Sequence, residues 1–282
     1  AEDGIRDVER SRGLGDVYKR QDDTTFGDNP SNTGTATNWQ FIYQIDQNDN
    51  GDVTVTYTGT DKVGNTGTDK YYFYEDNSAP SINTGNWSES SNYLHVKNGD
   101  LYFSNQMSGT ETATLSGTAS DSGKAGLQKA TFSNEASLAS SPGDDNTPAS
   151  WSGNYGVAAA STDANSPATV TIYDNVGNTV SANYDYIEDT TGPTITITGE
   201  SESSPYLYAA YGTTKQGVYG SKMGTSKQSY TISGTASDSG AGMSTVTDDT
   251  AFGDNPSNTG TATNWQFIYQ IDPVSYTHLT LP

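Results

Sequence analysis

Asp46-Gln47-Asn48-Asp49-Asn50-Gly51-Asp52 is the string in this chain best suited to chemistry. Oxygen-bearing side chains at alternate positions, Asp46, Asn48, Asn50 and Asp52, with a glycine in sixth place for the sharp turn, match the opening of a D-x-[DN]-x-[DN]-G calcium loop. The acid such a loop carries in twelfth place is here Tyr57. The same stretch also reads as a polar hairpin tip, because Asn and Asp tolerate turns. Tyr206, Tyr208, Tyr211 and Tyr219 crowd another segment. Such rings stack on sugars, or pack a sheet with their hydroxyls wet. A Ser-His-Asp arrangement would need His95, which lies in Tyr93-Leu94-His95-Val96 and reads as a strand residue. Nothing singles out two acids for glycoside hydrolysis, and with no Cys a His/Cys zinc site is excluded. The expectation is no catalytic residues and no enzyme.

Both ends read as foreign to the fold. Asp16-Val17-Tyr18-Lys19-Arg20-Gln21 can be encoded by GAT GTG TAT AAG AGA CAG. The reverse complement, read one frame over inside CCT GTC TCT TAT ACA CAT CTG, gives Pro273-Val274-Ser275-Tyr276-Thr277-His278-Leu279. One inverted DNA element accounts for both, and it resembles a transposon-end adapter of sequencing libraries. Residues 1–21 and 273–282 are therefore set aside as artefactual tails, leaving 272 − 22 + 1 = 251 residues. All the arginines (Arg6, Arg10, Arg12, Arg20) go with the first tail. The remainder keeps 13 − 5 = 8 Lys against 34 − 5 = 29 acids, so the net charge stays at −21. A chain this acidic repels nucleic-acid phosphates and anionic lipid, and without Arg it lacks a bidentate fork for phosphate. No run of 18 apolar residues is present to span a bilayer. Neither a nucleic-acid partner nor membrane insertion is expected of this fragment.

Self-similarity sets the organisation. Residues 22–46 (DDTTFGDNPSNTGTATNWQFIYQID) recur at 248–272 with one difference, Thr25 against Ala251, at an offset of 248 − 22 = 226. Half that distance relates Val63-Gly64-Asn65-Thr66 to Val176-Gly177-Asn178-Thr179, and Glu75-Asp76 to Glu188-Asp189, both at 113. Gly117-Thr118-Ala119-Ser120-Asp121-Ser122-Gly123 returns as 234–240, at 117. Within each unit Trp39, Phe41, Tyr43 and Ile45 alternate with polar neighbours, as do Val53, Val55 and Tyr57 with Thr, and Ile195 and Ile197 with Thr. Period 2 predicts strands with one apolar face, and Gly64-Asn65 and Gly177-Asn178 supply hairpin turns. No 3.6-residue apolar stripe occurs. The fold class expected is all-β, with a spacing of strands and a unit size that indicate immunoglobulin-like sandwiches.

Across the units run GTASDSG followed within three residues by G-L/M, then W-x-x-x-Y, then T-x-x-x-x-D-x-V-G-N-T, then E-D-x-x-x-P-x-I. In these motifs, over essentially all of 22–272, the chain resembles the tandem bacterial Ig-like, cadherin-like modules of large surface adhesins and S-layer-type proteins. The resemblance implies β-sandwich modules of about 113 residues: a partial module at 22–78 (C-terminal half), a complete one at 79–191 and a partial one at 192–272 (N-terminal part). It also implies calcium at the junctions, where Glu75 and Asp76, then Glu188 and Asp189, hand one module to the next, with loop acids Asp121 and Asp238 in reach. Hard carboxylate oxygens suit that ion; a solvated acidic linker explains the same residues. The function expected is a non-enzymatic extracellular stalk or adhesin spacer on a prokaryotic cell surface, projecting a distal function. Its partners would be neighbouring modules of the same chain and host or environmental glycans and proteins. The alternative is a set of accessory or glycan-binding modules of a secreted polysaccharide-degrading enzyme.

Overall fold

The computed structural model describes residues 26–27, 33–35, 37–46, 49–210, 215–219, 226–248 and 258–272. Among them every regular element is a strand, so the fold is all-β. The N-terminal segment carries β1 (Val53–Thr60) and β2 (Thr66–Phe73). The middle segment carries β3 (Ser81–Glu89), β4 (Leu94–Lys97), β5 (Asp100–Phe103), β6 (Thr110–Ser120), β7 (Leu127–Phe132), β8 (Ser150–Ala158), β9 (Ala168–Asp174), β10 (Thr179–Tyr184) and β11 (Tyr186–Glu188). The C-terminal segment carries β12 (Thr194–Glu202), β13 (Leu207–Ala210), β14 (Gln216–Tyr219), β15 (Gln228–Ser237) and β16 (Asn264–Ile271).

Period-2 burial explains why these stretches are strands. In β9, Ala168, Val170, Ile172 and Asp174 are buried and the residues between them are not; in β8, Trp151, Tyr155 and Val157 turn inward. Each fully buried aliphatic side chain contributes roughly 1.5–3 kcal/mol. The sheets of the middle segment run β3-β6-β8, β10-β9-β7 and β11-β5-β4. The C-terminal segment repeats the first order as β12-β15-β16, and even the register returns: Gly117 faces Trp151, and Gly234 faces Trp265. A Cβ on Gly117 would meet the Trp151 ring at 2.4 Å, and on Gly234 the Trp265 ring at 2.2 Å. The first glycine of each GTASDSG motif is therefore the seat of the neighbouring indole.

One expected strand does not form. Residues 38–45 have the sequence of β16 except that they lack its sheet, with only an isolated bridge at Phe41. In β16 these residues pair with β15, and the stretch 226 residues upstream of β15, 2–11, carries none of the β15 sequence. A strand is stabilised by its cross-strand neighbours, so the same residues join no sheet here.

The chain divides into two compact units: 1–81 with 119–128 and 172–180, and 82–118 with 129–171 and 181–282. In the first, Val55 is buried, the rings of Phe26, Tyr43 and Phe73 pack on one another, and the Tyr43 and Tyr57 hydroxyls are hydrogen-bonded. In the second, Leu94, Leu101, Phe103, Leu115, Trp151, Tyr155 and Tyr186 are buried in the middle segment, and Ala236, Val246, Trp265 and Phe267 form a core cluster in the C-terminal one.

Candidate metal centre at the repeat junction

The D-x-V-G-N string builds the site from the inside. Asp174 ends β9 and folds the hairpin around its own carboxylate. Its Oδ1 accepts the backbone N–H groups of Val176 (2.9 Å) and Asn178 (2.8 Å), and its Oδ2 accepts the Asn178 side-chain amide (2.8 Å). Gly177, at φ 97°, makes the reversal without the clash a side chain would bring. Asn175 then donates its amide to the Ala125 carbonyl (2.8 Å) and its backbone N–H to Gly126 (3.0 Å), drawing in the loop after β6. From the other side comes the linker that follows β2. The Asn178 amide donates to the Asp76 carbonyl (2.9 Å), while the Asp76 carboxylate accepts Ala125 N–H (2.7 Å) and Ser78 N–H (3.0 Å). A Cβ on Gly123 would sit 2.1 Å from Asp76 Oδ2, so only glycine lets that carboxylate settle.

These three segments bring Asp76, Asp121 and Asp174 together, with ligand oxygens all within 4.8 Å of one another. Among the described residues it is the one cluster of three acids so close. Asp121 Oδ1 accepts Gly123 N–H (3.0 Å), but its Oδ2 is enclosed and has no hydrogen-bond partner. A buried anionic oxygen left unpaired costs more than a lost neutral hydrogen bond. Two unit charges about 5 Å apart repel by roughly 3–4 kcal/mol at an effective dielectric of 20. The Lys124 ammonium, on the same loop as Asp121, lies over the Tyr74 ring. For Asp174 burial pushes the carboxyl pKa up, yet the Asn178 amide and the backbone N–H groups of the turn outweigh it and hold the group below the ordinary aspartate value. All the donors are hard oxygens with second lone pairs to spare. That set fits calcium, which takes six to eight oxygen ligands, water among them, in flexible geometry.

The other junction is built alike. Asp189 Oδ2 accepts Ala241 N–H (2.7 Å), and a Cβ on Gly240 would come within 2.2 Å of that carboxylate. Asp238 accepts Gly242 N–H (2.7 Å), and the Lys97 ammonium donates to the Gly240 carbonyl. The counterpart of Asp174 would stand at 174 + 113 = 287, beyond residue 282.

The remaining expected ligands lie elsewhere. Glu75 turns away from Asp76 to the tip of the 46–52 loop, where its carboxylate accepts Gly51 N–H and its own N–H donates to Asp52 (3.2 Å). Asp49, which the calcium-loop pattern passes over, organises that loop by accepting Gly27 N–H and Asp46 N–H (both 3.0 Å). Asn48 lies outside the described residues; Asp46 and Asn50 belong to the loop, not to the three-acid cluster. Glu188 sits on β11 with its N–H donating to Asp163. Asp174 was the residue the sequence left unclaimed as a ligand. The signal for it is the Asp that opens D-x-V-G-N in both copies, Asp61 and Asp174. His95 is exposed on β4 opposite Tyr102. Tyr206, Tyr208 and Tyr219 are exposed, and Tyr211 lies outside the described residues. No family model matches this chain, and no curated protein matches it.

Proposed function

We propose that the chain is a stretch of a non-enzymatic, extracellular spacer from a prokaryotic surface, made of tandem Ig-like modules whose junctions are stiffened by calcium. The observation that carries this reading is the Asp76–Asp121–Asp174 cluster. It is assembled from a linker, a loop and a hairpin well separated in the sequence, and it holds an enclosed carboxylate oxygen with no partner. Linker and module are already tied by Asp76 to Ala125 and by Asp189 to Ala241. A cation bridging three carboxylates adds rigidity by relieving their repulsion, and drives no reaction. Nothing in the cluster resembles a nucleophile with its base. Small-angle X-ray scattering in millimolar calcium and then in EDTA tests the reading: the maximum dimension and the stiffness fall on chelation if junctions are cation-braced. A profile indifferent to calcium refutes the bracing.

A second reading, glycan binding, is favoured by one feature. The exposed rings of Tyr72 and Tyr74 lie nearly parallel, 10° apart with centroids 6.4 Å apart, with the Lys124 ammonium over Tyr74. Such rings offer a flat stacking surface. Binding on a glycan array that is lost in Tyr72→Ala would establish it, and an array at background would remove it.

A further inference from the structure

Each repeat junction holds a lysine that the repeat itself does not supply. After the first GTASDSG the chain reads Lys124-Ala125-Gly126; after the second it reads Ala241-Gly242, one residue shorter. Lys97 stands on β4, three places after Leu94, and the residue three places after Leu207 is Ala210. The Lys97 ammonium lies 5.4 Å from the centroid of the Tyr102 ring and donates to the Gly240 carbonyl. That carbonyl and the Ala241 N–H are the two ends of one peptide group. The N–H end meets a charge as well, donating to Asp189 Oδ2 at 2.7 Å. Both charges are themselves held. The Asp189 N–H donates to the Phe103 carbonyl (2.8 Å), and its Oδ1 accepts the Thr191 N–H and hydroxyl (both 3.2 Å). Lys97 faces Asp100 across the two-residue Asn98-Gly99 turn, whose φ of 57° and 97° suit a tight hairpin.

We propose that Lys97 and Asp189 form a charged clamp on the Gly240–Ala241 peptide, and that Lys97 is the positioning residue that fixes this loop on the preceding module without a metal ion. Both charges come from residues 79–191 and the peptide from 192–272, and all of them lie in the same compact unit. Hydrogen bonds with an ionised partner are roughly twice as strong as neutral ones. A peptide polarised from its two ends strengthens each bond through the other. The first junction repeats only the carboxylate side of this arrangement: Asp76 Oδ2 accepts Ala125 N–H at 2.7 Å, and the inserted Lys124 sends its ammonium to the Tyr74 ring. A single lysine therefore distinguishes the way the two loops are held. The inference rests on the reading of the chain as tandem modules and not on calcium.

The chain has no cysteine, so Ser152→Cys on β8 and Thr235→Cys on β15, both exposed, place spin labels on either side of the junction. Electron–electron double resonance on the full chain in EDTA is expected to give one narrow distance distribution. Lys97→Met, which keeps the stem and removes the ammonium, broadens it, and Lys97→Arg, which restores a charged donor, narrows it again. Hydrogen exchange supplies a second readout. In Lys97→Met the Ala241 amide exchanges about tenfold faster, as expected when a charged hydrogen bond to its own peptide is lost, while β8 and β9 keep their protection. A distribution as narrow in Lys97→Met as in the unaltered chain overturns the proposal. So does an Ala241 amide whose exchange is unchanged, or a narrow distribution that forms only when calcium is added. Loss of calcium bracing at the first junction leaves these results in EDTA as they stand, so the two readings fail separately.

Discussion

Asp61-Lys62-Val63-Gly64-Asn65 and Asp174-Asn175-Val176-Gly177-Asn178 are one hairpin written twice, 113 residues apart, and they fold the same way. Asp61 accepts the N–H groups of Val63 and Asn65 and the Asn65 amide at 2.9, 2.8 and 2.8 Å; Asp174 makes the same three bonds at 2.9, 2.8 and 2.8 Å. Both carboxyls are held below the usual aspartate pKa, Asp61 chiefly by the Asn65 amide, Asp174 against the opposing push of burial. What differs is the company. Asp61 is exposed, whereas Asp174 is fully enclosed with Asp76 and Asp121 beside it. Asn175 reaches the 125–127 carbonyls, and the first hairpin has Lys62 in its place. A motif of five residues therefore specifies a turn. Whether the turn becomes a joint depends on the linker and loop delivered to it.

The comparison breaks most visibly at its central carboxylate. Asp174→Ala removes a buried charged acceptor of three hydrogen bonds from the part-buried turn, and urea unfolding is expected to show a loss of about 3 kcal/mol. Asp61→Ala, whose donors turn to water, should shift the same midpoint far less; equal losses would mean the junction adds nothing to the turn. Next in size is Gly123→Ala, which pushes a methyl into the Asp76 carboxylate and is expected to cost about 2 kcal/mol by overpacking. Gly64→Ala, in open space at φ 91°, tests backbone strain alone and should cost about 1 kcal/mol. Asn175→Lys makes the second hairpin copy the first. With its amide bonds to the neighbouring loop gone, a loss near 1 kcal/mol is expected in the same titration, and Lys62→Asn should gain nothing.

Acid gives the smallest and most diagnostic effect. Since the Asp174 pKa is depressed on folding, its contribution is fully present above the unfolded value near 3.9 and disappears as pH falls through the lower folded value. Thermal midpoints recorded from pH 5 down to 2.5 should therefore drop more steeply for the unaltered chain than for Asp174→Asn. The alkaline side runs the other way for Tyr186, which burial first, then the charge of Glu135, pushes up to about 12. That contribution is whole below pH 10 and lost between 10 and 12.

Much of this was legible in the sequence and some of it was not, for definite reasons. Alternation of Val, Ile and aromatic residues with Thr revealed the strands, because burial on one face leaves a period of 2 in the sequence. It misplaced 39–45, because alternation reports a capacity to pair and not the presence of a partner; β16 shows the same residues paired. Asp76 is visible as a junction acid because it stands at a repeat boundary, and Asp121 as a loop acid of the recurring GTASDSG motif within its reach. Glu75 was grouped with Asp76 by adjacency, yet neighbours in an extended chain point to opposite sides, and it closes the 51–52 tip instead. Asp174 escaped because its local hydrogen bonds are those of Asp61, and only tertiary assembly separates them.

The central claim, that Asp76, Asp121 and Asp174 form a cation-braced joint, is tested most directly by the unfolding midpoint in millimolar calcium against EDTA, for the unaltered chain and for Asp121→Asn. The account predicts a rise with calcium, about 2.7 kcal/mol at a hundred times Kd, and loss of most of that rise when the unpartnered Asp121 oxygen becomes an amide. A midpoint identical in calcium and EDTA, or a rise that Asp121→Asn retains in full, would contradict it.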